Sequence, residues 1–172
     1  MATGDILRGR TALPIYGKNG TLLYATPIGM TCSIVISWTG GRDVDICGFF
    51  THYAGAKIGY SYGAQIDDGN GFTANWTSGD NTSGGPETVS LAYSGAAGLA
   101  GKSFEIHANW FAVGEDETGG GPATVTATDA AGTTKTFTVM PGTSKGRAAT
   151  PADPGCMINF NTDGTLKSIT AA

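Results

Sequence analysis

The run Thr31-Cys32-Ser33-Ile34-Val35-Ile36-Ser37-Trp38 decides the fold class. Alternation puts Cys32, Ile34, Ile36 and Trp38 on one face and Thr31, Ser33, Val35 and Ser37 on the other, the period of a half-buried strand and not of a helix. The segment 102–113 divides the same way. Phe104, Ile106, Ala108, Trp110 and Ala112 oppose Ser103, Glu105, His107, Asn109 and Phe111. Val89, Leu91 and Tyr93, then Val125 and Ala127, then Phe137 and Val139 repeat the pattern with Ser, Thr or Ala between them. Asn19-Gly20, Gly40-Gly41 and Asp163-Gly164 lie between apolar runs and read as type I′ hairpin turns, and Ala131-Gly132 marks a further hairpin. Counting runs between such signals predicts an all-β, two-sheet antiparallel β-sandwich of about nine strands with little or no helix.

Composition agrees. The 172 residues include 28 Gly and are 40% hydrophobic and 14% charged, against about 25% charged for an average domain. This length suits a single domain, read as an N-terminal arm and hairpin over 1–29 and a sandwich over 30–172. A net charge of −4 without a Lys/Arg run argues against nucleic acid and anionic membrane as partners and favours cations. No apolar stretch is long enough for a membrane helix, and Met1-Ala2-Thr3-Gly4-Asp5 does not open a signal peptide. Cys32, Cys47 and Cys156 lack metal-site or disulfide spacing and read as small buried hydrophobes.

Asp43-Val44-Asp45 and the run Gly79-Asp80-Asn81-Thr82-Ser83-Gly84-Gly85-Pro86-Glu87 are the most informative pair of segments. Asp43 and Asp45 share one side of a strand, where two carboxylates repel unless a cation or donor lies between them. Asp80, Asn81 and Glu87 sit on a Gly-rich loop able to wrap an ion, and calcium takes oxygens of this kind. The alternative is a solvated strand edge and ordinary turn chemistry.

The order Trp38, Asp43, Asp45, then Gly79-Asp80-Asn81 and Glu87 resembles the calcium-binding core of the tellurite-resistance TerD-like stress proteins, over roughly residues 30–113. That resemblance implies a sandwich holding calcium through Asp43, Asp45, Asp80, Asn81 and Glu87. The family's loop is richer in acids; here Ser83, Gly84, Gly85 and Pro86 fill that space.

Catalytic signals are missing from the sequence. His52 and His107 lie in no nucleophile or metal motif, and His107 reads as a satisfied surface histidine. Gly119-Gly120-Gly121 runs into Pro122 and cannot cradle a phosphate. The acid pairs Asp67-Asp68 and Glu115/Glu117 read as solvated loop acids. Tyr60, Tyr62, Trp76 and Phe111 form a candidate aromatic binding surface, for a protein neighbour or a glycan. The expectation is a non-enzymatic structural or interaction protein. It would be a subunit of a larger assembly such as a phage virion or filament, contacting its neighbours through the arm 1–16 and carrying a calcium-type site. A cytosolic TerD-like calcium-binding protein and a carbohydrate-binding module are the alternatives, and virion or cytoplasm is the expected location.

Overall fold

A computed structural model describes residues 15–16, 22–24, 31–40, 42–93, 101–111, 120–144 and 146–172. Its strands are β1 (Ile15–Tyr16), β2 (Leu22–Tyr24), β3 (Thr31–Ser37), β4 (Val44–Phe50), β5 (Gln65–Asp67) and β6 (Phe72–Trp76). They continue with β7 (Glu87–Tyr93), β8 (Ser103–Trp110), β9 (Ala123–Asp129), β10 (Thr134–Val139), β11 (Gly155–Phe160) and β12 (Leu166–Ala171). No helix occurs among the described residues. A six-stranded sheet in the order β10-β9-β3-β7-β6-β5 faces a four-stranded sheet in the order β12-β11-β8-β4, and β1 pairs with β2 apart from both. The sandwich thus holds ten strands, close to the expected number. The three-residue β5 is too short to show an alternation of its own.

The alternating residues meet between the sheets as expected. Ile34, Ile36, Val89, Leu91 and Val125 of the large sheet and Phe104, Ile106, Trp110 and Ile158 of the small one are at most 1% exposed. Each such aliphatic or aromatic side chain contributes about 1.5–3 kcal/mol by leaving water. Cys32 and Cys156 are free thiols within this packing, and Cys47, opposite His107 on the other face of the small sheet, is a buried free thiol as well. Asp129 ties the sheets together, since its Oδ2 accepts from Leu166 N at 3.0 Å while its Oδ1 accepts from Ala131 N and Thr133 N in its own turn.

Several sequence expectations are corrected. Gly40-Gly41 is no hairpin, because β3 and β4 belong to different sheets and the link between them crosses the sandwich. The 129–133 and 161–165 turns do close hairpins, but each has one positive φ, at Gly132 (84°) and Gly164 (79°). A type I′ turn needs two, so both are type I turns followed by a left-handed glycine, which changes the turn type expected at Asp163-Gly164 and leaves the hairpin expected at Ala131-Gly132 as read.

His107 is buried at 4% exposure. Its Nδ1 lies 2.6 Å from Asp153 O and its Nε2 2.9 Å from Glu105 Oε2. The cause is a cover on the outer face of β8. Trp110 N donates to Gly142 O at 2.7 Å, Gly142 N to Ala108 O at 2.8 Å and Ala108 N to Pro154 O at 3.0 Å, so Gly142 and Pro154 sit in line with the sheet beside β8. Asn109, with no exposure, holds that cover through Ser144 and Arg147, and Arg147 Nη2 clasps Asp153 Oδ1 at 2.6 Å.

Asp68 is likewise not a solvated acid. It is 3% exposed and receives His52 Nε2 at 2.7 Å, Lys102 Nζ at 3.3 Å and the N–H groups of Asn70 and Phe72. Glu115, Glu117, Gly119 and most of the arm 1–16 lie outside the described residues.

Candidate metal centre

Asp43 and Asp45 flank the first residue of β4, and their backbone is fixed by the ladder to β8. Val44 pairs with Trp110 and Asp45 with Asn109, and Phe111 N donates to Asp43 O at 3.2 Å. Asp80 arrives from the large sheet, on the long connection between β6 and β7. That connection is pinned at its base, where Thr77 N donates to Thr88 O at 2.8 Å and Thr88 N to Ser78 Oγ at 2.9 Å. Its far side rests on Trp38, whose ring lies 2.9 Å from where a Cβ on Gly85 would stand. Only glycine allows that approach.

Glu87, the first residue of β7, has no exposure, and both of its oxygens are engaged. Oε1 accepts from Asn81 N and Oε2 from Trp76 Nε1, each at 3.2 Å. The Asn81 amide donates in turn to Pro86 O at 3.4 Å. Glu87 and Asn81 therefore shape the loop that presents Asp80.

One carboxylate oxygen each from Asp43, Asp45 and Asp80 lie within 4.8 Å of one another. Asp43 is 6% exposed and Asp45 2%, while Asp80 is open to solvent. Asp43 Oδ1 and Asp45 Oδ2 are buried and meet no donor among the described residues. An ionised oxygen in that state costs more than the roughly 1–3 kcal/mol of a neutral orphan.

The proton affinities follow. Burial first, then the charges of Asp43 and Asp80, push the Asp45 carboxyl up to about 7. Burial, then Asp80, raises Asp43. Burial pushes Glu87 up to about 8, with the Asn81 bond opposing it and the charges of Asp45 and Asp80 adding to it. Three converging carboxylates, two of them with an orphaned oxygen, match a hard divalent cation, because oxygen-only donors suit calcium and magnesium, and no imidazole or thiolate joins the group.

The aromatic candidates separate into two sets. Tyr60 and Phe111 are in ring contact, with centroids 5.7 Å apart, and Lys57 Nζ sits 5.6 Å above the Tyr62 ring. Trp76 packs against the core and commits its indole N–H to Glu87. No family model, curated protein or solved structure matches this chain.

Proposed function

We propose that the protein is a non-enzymatic, calcium-binding β-sandwich in which Asp43, Asp45 and Asp80 hold the ion. The observation that carries this reading is the pair of buried oxygens on Asp43 and Asp45 that meet no donor among the described residues, on two carboxylates grouped with a third from the opposite sheet. A cation between them offsets three like charges and cross-links β4 to the β6–β7 loop. Asp43, Asp45 and Asp80 are three of the five residues that the resemblance to TerD-like proteins implies, while Glu87 and Asn81 are spent on the loop that presents Asp80.

Calcium should raise the melting temperature. At free calcium about 100-fold above the dissociation constant, the gain is about 2.7 kcal/mol. Asp45→Ala combined with Asp80→Ala should abolish the rise, and a wild-type protein indifferent to calcium would sink the proposal.

A role as a subunit of a larger assembly is a second reading, favoured by the outer face of the six-stranded sheet. Thr134, Thr128, Ser33, Ser90, Asn75 and Gln65 form one row of cross-strand neighbours across all six strands. The next row is Thr136, Thr126, Val35 and Thr88. Two uncharged rows place no like-charge repulsion in the way of a neighbouring copy. Native mass measurement decides, since a strictly monomeric protein at high concentration removes this reading.

A further inference from the structure

The carboxylate trio shares its face of the small sheet with an aromatic pair. The register that sets Val44 opposite Trp110 and Asp45 opposite Asn109, extended by the Phe111 N–H donating to Asp43 O at 3.2 Å, makes Asp43 and Phe111 cross-strand neighbours. Such neighbours point the same way and hold their Cβ atoms about 5 Å apart. The Phe111 ring then meets the Tyr60 ring edge-on.

Tyr60 is 41% exposed and stands on a turn with little freedom. Tyr62 N and Gly63 N donate to Gly59 O, and Gly59 N donates to Gly63 O. Ser61 holds φ at 70°, a left-handed conformation that is strained for a residue bearing a Cβ. Strain kept at an exposed aromatic turn points to a surface held ready for a ligand.

The oxygen supply has a matching gap. Three carboxylates offer at most about six oxygens, and fewer when they bind end-on, whereas calcium takes about six to eight. Because Asp80 faces solvent, the remaining coordination positions open outward, on the side where hydroxyl groups from a ligand can replace water. Two adjacent hydroxyls of a sugar ring supply hard oxygens of the kind calcium prefers, and the ring's C–H surface packs against an aromatic side chain.

Building on the calcium reading above, we infer that Asp43, Asp45, Asp80, Phe111 and Tyr60 form one binding site for a neutral sugar ring. Two of its hydroxyls complete the ion's oxygen shell while its C–H face rests on the Phe111–Tyr60 pair. The acidic cluster and the net charge of −4 select against sialylated or sulfated glycans.

The test uses the full chain on an array of neutral glycans, with calcium chloride or with EDTA, beside calorimetric titration of calcium chloride alone. Glycan binding is expected with calcium and not with EDTA. Asp80→Asn should lose both calcium and glycan. Phe111→Ala and Tyr60→Ala should titrate calcium as the wild type does, which also shows that they are folded, and bind glycan about tenfold more weakly. Calcium binding without any neutral glycan bound would overturn this inference and leave the calcium site standing. Equal glycan binding in EDTA, or in the two aromatic variants, would overturn it as well. Failure to bind calcium would remove the site itself.

Discussion

Trp76 Nε1 donates to Glu87 Oε2 at 3.2 Å, which turns an aromatic residue of β6 into a clamp on a carboxyl with no exposure. The bond matters because Glu87 Oε1 holds Asn81 N, next to Asp80. A hydrogen bond made inside the sandwich thereby sets where the exposed member of the carboxylate trio stands.

The carboxyls around this clamp predict an unusual pH response in EDTA. Asp45 is raised to about 7 and Glu87 to about 8, so in this range the folded protein binds more protons than the unfolded chain. Stability is then fully present below the ordinary carboxylate range and is lost as pH rises, between about pH 4 and about pH 8. The melting temperature in EDTA should fall across that window, and calcium should flatten the fall. Asp45→Asn should raise the EDTA melting temperature at pH near 8. A thermal-shift series over pH checks each point, and a wild-type curve in EDTA that rises through the window contradicts the assignment.

Asp68 predicts the opposite sign. Burial pushes its carboxyl up, but the bonds from His52, Asn70 N, Phe72 N and Lys102 outweigh it and hold the group at about 2. Its contribution is present above the ordinary carboxylate value and lost as pH falls through about 2. Asp68→Asn should cost about 2–3 kcal/mol at neutral pH and shrink the acid limb of the unfolding curve. Urea melts of both proteins, at neutral and acid pH, measure the difference.

How much of this was readable in advance depends on whether the cause was local. The faces of β3, β7 and β9 were legible because one side of each strand meets the core and the other meets solvent or half-exposed neighbours. The polar face of β8 was not, because the segment that buries His107 and Asn109 begins at Gly142, far along the chain. Gly40-Gly41 misled for a similar reason: a tight-turn signal cannot report that its two strands join different sheets. At the site, the two-residue spacing of Asp43 and Asp45 and the glycines around Asp80 carried the convergence. The employment of Glu87 by Trp76 and Asn81 depends on the β6–β7 register, which no short motif encodes.

The thiols supply a third prediction. Burial drives Cys32, Cys47 and Cys156 each up to about 12, with Asp129 adding to the effect at Cys32. A thiol that is both buried and protonated does not attack. Native protein should therefore leave all three unreacted toward a chromogenic disulfide reagent at neutral pH, and denaturant should release three equivalents. Rapid labelling of the native fold would show that one of these strands opens readily.

The last prediction separates two causes of glycine dependence in the turn that carries Tyr60. Gly59 and Gly63 adopt nearly the same backbone angle, φ of 117° and 121°, so alanine suffers a similar conformational cost at both, about 1–3 kcal/mol. Their surroundings differ. A Cβ on Gly63 meets nothing within 4 Å, whereas one on Gly59 would lie 2.0 Å from the carbonyl oxygen of Ile46. That oxygen belongs to the β4 backbone, which is laddered to β8 and cannot step aside without breaking hydrogen bonds. Gly59→Ala should therefore be clearly more destabilising than Gly63→Ala in urea. It should also weaken calcium binding, because the backbone it displaces, at Ile46, adjoins Asp45. Equal losses for the two variants would mean that backbone strain alone matters here and that the turn does not brace β4.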